Sequence, residues 1–300
     1  MAELAPGQQS NVSKPQTDDT VVSPWKDAWK GFKKNRLALV GTGIVAFFIL
    51  IAIFADVLAP MSYKESILAD SLQPPSADHW FGTDDLGRDI FSRIIYGARI
   101  SLWVGFFAVL ASAIIGSLLG ILAGYYGKWV DMLISRMFDI LLAFPSILLA
   151  IAIVAILGPS LQNALIAIAI INVPNFGRLV RSKVISIKEE EFIMAAKAIG
   201  MKDARILLKH ILPNSITPII VQGSLGIATA ILEAAALGFL GLGAQAPEPE
   251  WGRMLSDARS YIQQAPWTLI FPGLAIMLTV LGFNLMGDGL RDALDPKMKN

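Results

Sequence analysis

The 300-residue chain has no cysteine and only two histidines, His79 and His210. Without cysteine there are no disulfides, no thiolate metal sites and no thiol catalysis. Both histidines lie outside the long apolar runs, which argues against a Ser–His dyad within a membrane and so against an intramembrane protease. Charge is sparse: Asp, Glu, Lys and Arg make up 16% of the residues, against about 25% in an ordinary soluble domain. The formal net charge of +1 says nothing about partners. No GxxxxGK[ST] loop is present, so no ATP site is expected in this chain. No signal peptide is expected either. The first apolar run begins near Leu37, and it is longer than the roughly 7–15 residues of a signal h-region.

Apolar residues are abundant, at 54% with a mean hydropathy of +0.58. A bilayer core about 30 Å thick needs about 20 apolar residues in a helix. Leu37–Ala55 supplies span one and Ile100–Gly127 span two. Ile140–Gly177 is uncharged and long enough for two spans, with Gly158-Pro159-Ser160 as the turn between them. Span three then lies near Met137–Leu157 and span four near Leu161–Gly177. Span five runs from about Ser215 to Gly243, and span six lies within Ser260–Gly287. The expectation is an all-α polytopic membrane protein with six transmembrane helices. Placing the N-terminal tail inside puts 19 of the 25 Lys and Arg residues on the inner side, which predicts an N-in/C-in topology.

The resulting organisation has six parts. Residues 1–22 form a disordered tail rich in Ser, Gln, Pro, Thr and Asp. Residues 23–36 interleave Trp25, Trp29 and Phe32 with lysines and suit an amphipathic interfacial segment or a plain positive-inside flank. Residues 37–59 form the first transmembrane helix, 60–98 an extracytoplasmic loop, 99–291 a five-helix core, and 292–300 a cytoplasmic tail. The core includes a cytoplasmic loop at 178–213.

Within that loop, Glu189–Asn214 (EEEFIMAAKAIGMKDARILLKHILPN) is polar and helical between apolar runs. Phe192, Ala195, Ala196 and Ile199 fall at i, i+3, i+4, i+7, and Ala204, Leu207, Leu208 and Ile211 repeat that spacing. Gly200 separates the two stripes and Pro213 closes the second. A membrane protein that displays a helix–break–helix unit in water is expected to dock something. An interfacial loop held to headgroups by its basic residues is the plainer alternative.

Other constellations stand apart from it. HWFGTDDLGRDIFSRIIYGARISL (His79–Leu102) packs acids, arginines and glycines into a folded turn in which carboxylate–guanidinium pairing is expected. Its acids lack a suitably spaced partner, so no metal site is expected. Asp139 lies one turn into span three, within reach of Arg136 at i−3. Glu233 interrupts span five, and an ionisable residue there is a functional candidate by default. It could line a pathway, meet a peptide amine, or seal the bundle by a hydrogen bond. Pro145, Pro174, Pro218 and Pro272 free backbone carbonyls inside spans, and Gly116–Gly120 favours close helix packing. GFLGLGAQAPEPEWGRMLSDAR (Gly238–Arg259) and NLMGDGLRDALDPK (Asn284–Lys297) are two further motif-like segments.

These four segments, in this order, resemble the permease subunits of ABC importers, specifically the shorter partner of the two permeases in the dipeptide/oligopeptide branch. The resemblance covers about residues 79–297. AAKAIG followed after nine residues by a helix ending HILPN is similar to that family's EAA loop. Met194 stands where the family motif usually has Glu, and His210 where it often has Ile. The resemblance implies a type I importer permease fold (MetI-like) with an ATPase-docking surface at Ala195, Ala196, Gly200, Lys202, Asp203, Arg205 and Pro213. It places Gly82, Asp84, Asp85, Gly87, Arg88 and Asp89 in an extracytoplasmic motif, and leaves Glu233 and Asp139 as pathway or gate candidates. The implied partners are a second homologous permease, two cytoplasmic ATPases that carry ATP and Mg, an extracytoplasmic peptide-binding protein and membrane lipid. The implied function is peptide import across the bacterial inner membrane, most simply of dipeptides, with no cofactor and no catalytic residue in this chain. Oligopeptide, glutathione, nickel or haem-like cargo fits the same branch. An ion-coupled secondary transporter using Glu233 and Asp139 is the alternative from a different class, although no inverted repeat is visible.

Overall fold

The computed structural model describes residues 24–294, with side chains from Trp29 onward. The 1–22 tail, the side chains of Trp25 and Lys26, and most of the 292–300 tail lie outside the described residues. Among the described residues the secondary structure is helical apart from one isolated bridge, Thr83 to Asp89. Helix α1 is Pro24–Lys34 and α2 is Arg36–Ile53. Asn35 separates them and caps α2, its side chain accepting from the amides of Leu37 and Ala38. A short α3 (Ala55–Leu58) leads into a long irregular stretch, and α4 then runs from Ile90 to Tyr126. At 37 residues, α4 is about 55 Å long. It starts ten residues before the expected span because Asp89 caps it, accepting from the Ser92 amide at 2.8 Å.

The expected third span is not one helix. Lys128–Leu142 (α5) and Ser146–Leu157 (α6) meet at a 92° bend. Pro145 stands at the break. It has no N–H for the helical ladder, and its ring clashes with the carbonyl four residues back, so the chain turns there although its hydropathy continues. Helix α7 (Leu161–Lys188) passes the expected end at Gly177 by a further three turns. Arg178–Lys188 is therefore helix rather than loop. Next come α8 (Glu191–Ala198), α9 (Asp203–Ile206), a π-helical stretch over Leu207–Ile211, and α10 (Leu212–Phe239). Helix α11 (Trp251–Ala258) precedes the last span, α12 (Trp267–Leu294). Five continuous helices are long and apolar enough to cross a membrane, and the count is six where the bent α5–α6 pair is taken as one span.

Small residues let the two central helices approach closely. A Cβ on Gly116 of α4 would stand 2.5 Å from the Val173 carbonyl oxygen of α7, so only glycine allows this spacing. The core clusters follow from that contact. Val104, Ala108, Ala164, Ile168, Phe176 and Ala230 pack α4, α7 and α10 together. Ala98, Trp251, Met254 and Ile276 lock α11 and α12 against the start of α4.

Candidate functional site

The α8–α10 segment and the 79–102 motif sit at opposite ends of α4. At the Tyr126 end, the Tyr125 hydroxyl bonds Asp203 Oδ1 at 2.6 Å, and Lys197 Nζ lies 5.3 Å from the centre of the same ring. Lys188 Nζ reaches the Tyr125 carbonyl at 3.5 Å. Gly200 adopts φ +76° between α8 and α9, a left-handed conformation that glycine takes without cost. Pro213 does not close the second helix as expected. The chain continues helically through it into α10, because the π stretch just before it widens the turn: Leu212 N–H donates to Leu207 rather than to a residue four back. Asn214 Nδ2 and Ser215 Oγ take up the carbonyls of His210 and Ile211 at 2.7 and 2.9 Å.

The inner face of this segment is formed by Ile193, Ala196, Ile206 and Ile211, packed on Ile121, Val180 and Val184. Of the two expected stripes, only Ala196, Ile211 and part of Leu207 lie on it. The others point away: Ile199 is 79% exposed, Leu208 68% and Phe192 44%. Ala195, Ala204, Lys202, Arg205 and Lys209 are exposed with them, and Ala204, Arg205, Leu208 and Lys209 line one open groove. The segment therefore has two apolar faces, one buried in the bundle and one bare beside cations.

At the other end, loop and helix termini combine into one cap. Asp84 accepts from the amides of Leu86 and Arg88 at 2.9 and 3.0 Å and from Arg88 Nε at 2.7 Å. Arg93 Nε lies 3.5 Å from the same carboxylate, and Arg88 also faces Asp257, 3.9 Å away. His79 Nδ1 meets Asp89 Oδ1 at 3.1 Å. Gly82 and Gly87 hold the turn at φ +76° and +70°. Burial and the neighbouring Asp84 push the Asp85 carboxyl up. The indole N–H groups of Trp251 and Trp267 donate to the carbonyls of Ile94 and Thr83 at 3.1 and 3.2 Å, which joins this loop to the one around α11. Glu250 caps α11, accepting from the amides of Gly252 and Arg253 at 2.8 Å each. Its burial pushes the carboxyl up to about 7 against the pull of those two amides.

The two intramembrane acids singled out from sequence are not together. Asp139 accepts from Arg178 Nη2 at 2.6 Å and lies 3.7 Å from Arg136 Nη1. Glu233 is half-buried on α10 and accepts from Asn172 Nδ2 at 2.8 Å.

The family described as binding-protein-dependent transport system inner membrane component matches residues 116–300. The chain belongs to that family. A second match, to the N-terminal TM domain of oligopeptide transport permease C, covers residues 23–75. This inner membrane component is 71% identical to the dipeptide transport system permease protein DppC of Alkalihalophilus pseudofirmus, over 97% of this chain and 96% of that one. It is 50% identical to the glutathione transport system permease protein GsiD of Pectobacterium atrosepticum, over 94% of each chain. Identity to the Escherichia coli O157:H7 GsiD is 52%, over 94% of this chain and 93% of that one. Its fold is that of a subunit in the MetNI methionine ABC transporter seen in inward facing conformations. The TM-score is 0.57 at 19% identity, over 69% of this chain and 98% of that one. An amino acid ABC transporter with histidines matches at a TM-score of 0.52 and 16% identity, covering 66% and 92%. The component is a multi-pass protein of the inner membrane.

Sequence reasoning missed several groups in this inner membrane component. Asp131 on α5 pairs with both Arg181 Nε and, at 2.6 Å, Arg181 Nη2 on α7. The Tyr125–Asp203 bond joins residues 78 positions apart. No local spacing points to either. Asn172 was detectable, since it and Asn175 are the amides at helical spacing inside an uncharged run.

Proposed function

We propose that this chain is the permease subunit of an ATP-driven importer that moves dipeptides across the bacterial inner membrane. It sits N-in/C-in, so that the α8–α10 segment faces the cytoplasm. ATP and Mg are bound by two partner ATPases, which dock on the segment carrying Ala195, Ala196, Gly200, Lys202, Asp203, Arg205 and Pro213. A second homologous permease completes the path, and an extracytoplasmic peptide-binding protein delivers cargo to the cap. This chain has no catalytic residue and no cofactor of its own. Glu233 faces the pathway. Asp139, held by Arg178 and Arg136, serves the bundle near its edge.

The observation that carries the docking reading is the exposure of the apolar side chains Phe192, Ile199 and Leu208 on this one segment, with Arg205 and Lys209 lining the groove at Leu208. A contiguous exposed apolar surface rimmed by charge marks an interaction site. Dipeptide cargo is favoured over glutathione because the dipeptide relative is 71% identical and the glutathione relatives 50% and 52%.

Two experiments test this. Complete importer in proteoliposomes should accumulate a labelled dipeptide only with ATP, and an excess of glutathione should compete weakly. Accumulation without ATP that follows a proton gradient would instead support an ion-coupled carrier. The absence of native cysteine makes Ile199→Cys a clean topology probe. An impermeant maleimide should label it in inverted vesicles and not in intact spheroplasts, and the reverse pattern would refute the orientation.

A further inference from the structure

The acids of the membrane-crossing helices differ in how their charge is met. Asp131 is clasped by Arg181, and Asp139 by Arg178 and Arg136. Glu233 has no cation within ion-pair distance among the described residues. Its one partner is neutral, the Asn172 amide at 2.8 Å on Oε2. Asn172 Nδ2 also donates to the Ile168 carbonyl at 3.0 Å, and Asn172 Oδ1 accepts from Asn175 at 3.3 Å, so the amide is fixed in place and fully used. Oε1 of Glu233 is left without a protein donor. Thr229, one turn earlier on the same face of α10, and Asn175 are exposed. The polar patch lies about 9 Å from the α10 end nearest the cap, since Phe239 is six residue steps beyond Glu233 at about 1.5 Å rise each.

A carboxylate held ready at this depth, with one oxygen oriented and the other free, is costly unless a cation joins it. Asp131 and Asp139 on α5 have their cations built in; Asp288 and Asp292 on α12 have none among the described residues but are exposed, whereas Glu233 is half-buried. We propose that the cation for Glu233 comes with the cargo, and that Glu233 receives the terminal ammonium of the peptide as it passes, with Asn172 as the residue that positions the carboxylate. This rests on the import reading above and deepens it. The chemical class is a primary ammonium next to a carbonyl-bearing chain, which a peptide has at one end.

Glu233→Gln is the discriminating variant. Glutamine keeps an oxygen to accept from Asn172 and nearly the same volume, while it removes the charge and turns the free oxygen into an N–H donor. If Glu233 merely seals the bundle, the variant is silent. The proposal expects ATP-driven dipeptide uptake by the complete importer to fall at least tenfold, while ATP hydrolysis stimulated by the loaded binding protein persists. Glu233→Asp should recover part of the uptake. Asn172→Ala keeps the charge and should raise the apparent KM with a smaller loss of kcat. Uptake by Glu233→Gln within twofold of wild type would overturn the proposal. So would wild-type uptake that collapses with an uncoupler while ATP is held constant, because the carboxyl would then be carrying protons. If wild type shows no ATP-driven dipeptide uptake at all, the import reading has failed, a result distinct from a silent variant in an active importer.

Discussion

The two ends of the bundle carry similar-looking motifs and treat them in opposite ways. In the cap, the acids and arginines of residues 84–93 are spent on one another and on α11: Asp84 holds Arg88 and lies beside Arg93, and Asp257 binds Arg253 at 2.9 Å. Most of the large apolar side chains that the cap leaves exposed, such as Leu68, Trp80 and Ile262, lie outside that charged motif, with Leu86 the exception within it. At the other end, Lys202, Arg205 and Lys209 have no ion pair among the described residues, and Ile199 and Leu208 are bare. A dense run of charge therefore marks a self-contained turn in one place and an open surface in the other. The difference is whether the partners are already present in the same chain.

The largest way to break this comparison is at Asp84. Removing it in Asp84→Ala leaves Arg88 and Arg93 buried without their shared carboxylate. Truncating one partner of a buried ion pair costs about 3–5 kcal/mol. A clear fall in Tm of the purified protein in detergent is expected, with uptake lost through misfolding rather than through docking. A smaller effect is expected where the open segment meets the bundle. Tyr125→Phe deletes the hydroxyl bound to Asp203, a loss of about 1 kcal/mol. Faster hydrogen exchange confined to residues 197–211, with the cap unchanged, should report it. A third effect is pH-dependent. Folding raises the Glu250 carboxyl from 4.5 to about 7, so the folded state keeps a proton that the unfolded chain has released. That contribution is present below pH 4.5 and is lost as pH rises through 7. Tm should decline across this window in wild type and stay flatter in Glu250→Gln, and equal slopes would refute the assignment.

Much of the architecture is legible in the order of residues. The apolar runs locate the five continuous membrane-length helices, because length and hydropathy are all a span needs, and the glycines at 116 and 120 point to close helix packing, whose partner the structure shows to be α7. The bend at Pro145 is not legible in the same way. An unbroken apolar run satisfies the bilayer whether or not the helix inside it turns, and proline permits either a kink or a break. Which face of the segment from α8 to the π stretch meets the bundle is not legible for a related reason. Both faces of these short helices are apolar, so periodicity cannot say which one meets α4 and α7. Pro213 misled because a π turn absorbed it. The ion pairs of Asp131 and Asp139 with α7 depend on the fold bringing distant residues together. Glu233, by contrast, stands out from sequence alone and Asn172 is detectable there, but their pairing across 61 positions needs the structure.

The central claim is that the outer face of the segment from α8 to the π stretch, residues 191–211, is the surface on which a separate ATPase docks. The most direct measurement is the affinity of the purified ATPase subunits for the reconstituted permease pair when this chain carries Ile199→Asp and Leu208→Asp. Both side chains are exposed, so stability should stay within about 0.5 kcal/mol of wild type and Tm should hardly move. The account predicts that affinity falls at least tenfold with Tm intact. Unchanged affinity in that double variant would contradict it.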